Sequence, residues 1–91
     1  MRLTVTRTFA VAELGTVAFL AEESVELPFG SRHRVMVTQP DGKAVEANAS
    51  VECIRNDSSG TEFAALLFES LALHEVVVGA SVVVLGEVPG A

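Results

Sequence analysis

Val35-Met36-Val37-Thr38-Gln39-Pro40-Asp41-Gly42-Lys43-Ala44-Val45-Glu46-Ala47-Asn48-Ala49-Ser50-Val51-Glu52-Cys53-Ile54 decides the fold class. Its second half places Val45, Ala47, Ala49, Val51 and Cys53 at strict period two, opposed by Glu46, Asn48, Ser50, Glu52 and Ile54. That is the pattern of a strand with one buried and one wet face. Its first half alternates as well, with Val35 and Val37 on one face and Arg34 and Met36 on the other. Between the two runs, Pro40-Asp41-Gly42 is hairpin chemistry, because proline presets φ at the first turn position and glycine accepts φ above zero.

Working outward, Leu3, Val5, Phe9 and Val11 mark a first strand, and Gly15 supplies the tight connection or bulge into Thr16-Val17-Ala18-Phe19-Leu20. Val25 and Leu27 alternate briefly before Pro28-Phe29-Gly30, which predicts a short edge segment ended by a residue with no N–H to donate. Downstream, Asn56-Asp57-Ser58-Ser59-Gly60 is a polar turn, and Thr61–Phe68 reads as a strand buried on both sides. Leu71–Val76 fits one helical turn capped by Ser70, Gly79 turns the chain, and Val82–Leu85 closes it. Six or seven strands with turn signals about every ten residues predict an all-β fold, a small antiparallel closed or nearly closed barrel with at most one short helical turn. It occupies residues 1–88 as one domain, with 89–91 a frayed tail.

The chain has 91 residues, 49% of them hydrophobic and 20% charged, which is globular composition and excludes a multidomain enzyme. A core this small competes with any roomy catalytic cavity for apolar side chains, so a non-enzymatic binding module is expected. The net charge of −6 opposes nucleic acid, since phosphate demands the other sign. Up to Lys43 five basic residues balance five acids, whereas from Ala44 seven acids face Arg55 alone. Glu46, Glu52, Glu62, Glu69 and Glu75 are therefore candidates for an acidic face that meets a basic protein partner. The single Cys53 cannot form an intrachain disulfide and fits a reducing cytoplasm, and no apolar run suggests a secretion signal or a membrane span.

Metal binding needs convergent ligands, and His33, His74 and Cys53 come from three distant elements, so no metal, cofactor or catalytic residue is expected. Cys53 shares a face with Val51 and is expected to be a small buried hydrophobe. The competing enzyme reading pairs Cys53 with His33 in a small cleft. Val76-Val77-Val78 and Val82-Val83-Val84-Leu85 are expected to close the barrel internally; at an open edge they would pair two copies, giving a monomer or a weak homodimer.

Phe9-Ala10-Val11-Ala12-Glu13-Leu14-Gly15-Thr16-Val17 resembles the Phe-x-x-x-x-x-Gly-Thr-Val strand pair that opens the second, β-barrel domain of elongation factor Tu-type translational GTPases. The order of later features is similar: Gly30 before Val35-Met36-Val37, the long strand Val45–Ile54, Ser58-Ser59-Gly60, Ala64–Phe68 with Leu66 and Leu67, the acidic turn ending at Gly79, and Val82–Leu85. The resemblance spans nearly the whole chain and implies a free-standing barrel of that kind, with a translation- or GTPase-associated accessory role as the alternative to general protein binding. It implies no GTPase, because no phosphate-cradling loop is present. Two departures bear on RNA: Phe19-Leu20-Ala21-Glu22-Glu23 stands where the family has Thr-Gly, and Glu69 stands where it has an Arg-Gly pair near its RNA-contacting surface. The cyclic-dinucleotide-binding PilZ barrels fit less well. They take two arginines separated by three residues and an Asp-x-Ser-x-x-Gly turn, whereas Arg32 and Arg34 are too close and Glu62 occupies the last glycine position.

Overall fold

The computed structural model describes residues 1–22 and 25–89. Six strands, β1 (Arg2–Val11), β2 (Gly15–Leu20), β3 (Arg32–Thr38), β4 (Ala44–Arg55), β5 (Glu62–Phe68) and β6 (Ser81–Glu87), form a closed antiparallel barrel in the order β1-β2-β5-β4-β3-β6. The expected all-β barrel is thus present.

The β3–β4 hairpin forms where the turn chemistry placed it. Gly42 N–H donates to the Gln39 carbonyl at 2.9 Å, Lys43 N–H donates to Asp41 Oδ1 at 2.9 Å, and Gly42 takes φ 95°. From this turn the two strands zip in register from Thr38↔Ala44 to Arg32↔Ser50. That register puts Val35, Val37, Ala47, Ala49 and Val51 inside, where Leu3, Val5, Ala18, Leu66, Phe68 and Val82 join them. The connections add Leu71, Val76 and Ala80 to the core, with Val25 and Leu27 packed against it.

Three sequence expectations change. Val25 and Leu27 form no strand; their apolar side chains pack on the core from a connection, so the barrel has six strands rather than seven. Ser70 caps nothing: the helical turn is a 3-10 turn at Leu73–Glu75, and the Glu75 carboxylate accepts the Ala72 N–H at 3.0 Å. β5 is not buried evenly on both faces, since Leu66 and Phe68 are enclosed while Phe63 and Leu67 on the other face are half-buried. Pro89 is exposed, and the remainder of the proposed tail, Gly90 and Ala91, lies outside the described residues.

β6 closes the barrel through Val82 and Val83, which pair with β1 on one side and β3 on the other. β1 is less fully paired. A register shift between Val5 and Arg7 separates a first half that meets β6 over Arg2–Thr4 from a second half that pairs with β2 alone.

Candidate functional site: an aromatic row on the outer wall

Residues paired across a sheet share a face. Ala18, Leu66 and Val51 are linked in this way and belong to the core, so the flanking rows point outward. One outward row is Phe9–Val17–Leu67–Ser50 and the next is Arg7–Phe19–Ala65–Glu52, with Phe63 beside Ile54 beyond it. Phe9, Phe19 and Phe63 therefore lie on the outer wall. Their rings meet edge to face, at 5.2 Å between Phe9 and Phe19 and 5.4 Å between Phe19 and Phe63. Such T-shaped contacts suit the ring quadrupoles and add about 0.5–1.5 kcal/mol per pair beyond area burial. Val17 and Ala65 sit among these rings and are buried although they face outward. Phe9 remains 38% exposed. The row is bounded by Arg7 on β1 and Glu52 on β4, so its two flanks carry opposite charge.

A second feature is a cleft of about 260 Å³ between the β3–β4 turn and the 3-10 turn, lined by Gln39, Asp41, Lys43, Val45, His74 and Glu75 among others. Gln39 joins its two walls, donating from Nε2 to the His74 carbonyl at 3.2 Å and accepting the Val77 N–H at 3.3 Å. The polar groups of the cleft are of mixed sign, and among the described residues no set of three His, Cys, Asp or Glu side chains converges to hold a metal.

Cys53 is exposed, not buried as expected. Its side chain does follow Val51 on the inward face of β4, but it lies beyond the enclosed core at this end of the strand. The thiol lies 2.8 Å from Glu62 Oε2, and the same carboxylate lies 3.8 Å from Arg55 Nη2. Hydrogen bonding to Glu62 and its negative charge push the Cys53 thiol above its ordinary pKa, with Arg55 opposing weakly. This suppresses the nucleophilic thiolate. Glu62→Ala is expected to raise the rate of iodoacetamide alkylation at neutral pH, and a rate equal to or below that of the native chain would contradict the hydrogen bond. His33 takes no part, because its Nε2 lies 2.8 Å from Ser31 Oγ. Ser31 gives its single hydroxyl proton to the Pro28 carbonyl, so it must accept from His33 Nε2–H.

Each of the five acidic residues has a local partner. Glu46 pairs with Arg34 at 3.2 Å, Glu62 with Arg55, and Glu69 with Arg32 at 3.9 Å, while Glu52 accepts the Ser50 hydroxyl and Glu75 holds the 3-10 turn. The residues quoted for the resemblance have structural roles. Thr16 is buried and donates to the Leu71 carbonyl at 2.8 Å; Gly30 N–H donates to Val51 and Gly79 N–H to Val5. Gly15, Val17, Leu66 and Leu67 line the β2–β5 contact, and Phe9 opens the aromatic row. No local sequence signal marks Phe19 and Phe63 as partners of Phe9; the β2–β5 pairing brings them together.

Comparison with protein-family models, with curated proteins and with solved structures finds no match, so nothing in these comparisons identifies a relationship with the second domain of elongation factor Tu-type proteins.

Proposed function

We propose that this chain is a non-enzymatic β-barrel module that binds another protein through the outer wall formed by β1, β2 and β5. One observation carries the reading: of five phenylalanines, only Phe68 belongs to the core, whereas Phe9, Phe19 and Phe63 stack on the outside. Rigid aromatic side chains packed against one another at a surface lose little entropy when a partner covers them, and they are the residue type that dominates binding energy at interfaces. Small scattered apolar residues would not support this, but a contiguous row does. The net charge of −6 favours a partner of opposite charge. The Cys53–His33 pair on which the enzyme reading rests is not made, since Cys53 faces Glu62 and His33 faces Ser31.

The test places a photo-reactive phenylalanine analogue at Phe63, and separately at Arg34 on the opposite wall, in the cells that make the protein. Cross-links to a defined protein are expected from position 63 and not from position 34. With that partner purified, Phe63→Ser should weaken binding about tenfold or more, in line with loss of an aromatic anchor, and Arg34→Ala should change it little. Equal cross-linking from both walls, or unchanged affinity for Phe63→Ser, would remove the proposal.

A further inference from the structure

We infer that the second half of β1, Thr6–Val11, is a self-association edge on which a second copy of this chain adds its own β1, antiparallel and centred on Thr8. β1 pairs with β6 over Arg2–Thr4, and Val5 extends that side by bonding with Ala80 and Gly79. From Thr6 onward, among the described residues, that side of the strand makes no backbone hydrogen bond to another segment, although the 3-10 turn Leu73–Glu75 lies near β1. Thr6, Arg7, Phe9 and Ala10 are all exposed. Ala10 is paired with buried Thr16 and shares its inward face, yet it is exposed, so the end of β1 is uncovered where β2 is still packed on β5. A closed barrel removes its edges, and here the closure runs out while the strand continues. An unpaired, proline-free row of N–H and C=O groups is a template for another strand.

The occupant follows from the side chains. Antiparallel about Thr8, the segment Thr6-Arg7-Thr8-Phe9-Ala10 sets Thr8 against Thr8 of the second copy and Arg7 against its Phe9, twice by symmetry. Cross-strand Thr–Thr pairs are favourable, and a guanidinium beside an aromatic face gains a cation–π interaction. Arg7 makes no ion pair among the described residues, so it is available for this contact. Centring on Arg7 instead would oppose two guanidinium groups. The arrangement is isologous and closes at two copies. β6 offers a poorer edge: Val84 N–H is taken by the Met1 carbonyl, and only Leu85–Glu87 continue beyond it.

This inference goes beyond the partner-binding reading and does not depend on it, since that reading is tested at Phe63 on β5. Sedimentation equilibrium of the purified chain from micromolar to millimolar concentration, with Phe9→Arg and Phe9→Glu variants, decides it. The native chain should show a reversible monomer–dimer equilibrium. Phe9→Arg opposes like charges twice and should weaken association about tenfold or more, whereas Phe9→Glu sets a carboxylate against each Arg7 and should stay within about threefold. Circular dichroism melts check that both variants keep the barrel, as expected for an exposed position. A single-chain mass at every concentration would overturn the inference. So would equal weakening by both variants, which would mean that the ring's apolar area matters and the strand register does not.

Discussion

Phe68→Ala is expected to cost about 3–5 kcal/mol of folding stability, a large share of the about 5–15 kcal/mol typical of a domain. Phe68 is fully buried, heads the enclosed side chains by volume and is the only aromatic in the core. The loss has two parts, the transfer energy of the ring and the void left among rigid β-branched neighbours that cannot collapse into it. At about 4–8 °C per kcal/mol for a chain of this size, the melting temperature should fall by tens of degrees. Phe29→Ala is the control, because Phe29 is 55% exposed in a connection and should cost under about 1 kcal/mol. Urea unfolding of both variants checks the contrast, and equal losses would contradict the core assignment.

Gly15→Ala is expected to destabilise by about 3 kcal/mol, although it adds one methyl group. Gly15 takes φ +133°, a conformation that side chains resist. A Cβ there would also collide with the Phe68 carbonyl oxygen and lie 2.9 Å from Glu69 Cα, both backbone atoms that cannot rotate away. The strand β2 begins at this residue and pairs with the end of β5 directly afterwards, at Thr16↔Phe68, so the clash would pry apart the contact that carries β2. Gly60→Ala is the comparison: it shares a positive φ of 73°, but its Cβ would meet open space. It should cost roughly 1 kcal/mol. Thermal melts of the two variants separate steric collision from backbone strain, and equal costs would mean that the close approach at Gly15 is absent. Because Gly15 and Phe68 are neighbours, the double variant should not be additive.

The fold was legible where the information is local. Pro40-Asp41-Gly42 and the alternation from Val45 to Val51 specify a hairpin and its register from adjacent residues, and the structure keeps both. Alternation does not reveal where a barrel ends, which is why Cys53, on the inward face of β4, is exposed beyond the enclosed core. Nor does it distinguish a strand from an apolar plug two or three residues long. Val25 and Leu27 reach the core from a connection and have the same spacing as an edge strand. The aromatic row could not be read from the sequence for a different reason. Phe9 and Phe19 belong to one hairpin, but Phe63 joins them only through the pairing of β2 with β5, which brings Phe19 opposite Ala65 across a long stretch of chain. Long-range pairing of this kind leaves no local signature.

This register places Phe9, Phe19 and Phe63 on the outer wall and Phe68 inside. A slip of one residue in any strand would exchange its two faces. Solvent paramagnetic relaxation of the phenylalanine ring protons, using a neutral gadolinium chelate, tests this ring by ring in the native protein. Strong enhancement is expected at Phe9, intermediate enhancement at Phe19 and Phe63, and protection at Phe68. Protection of Phe9, Phe19 and Phe63 together with strong enhancement at Phe68 would contradict this placement.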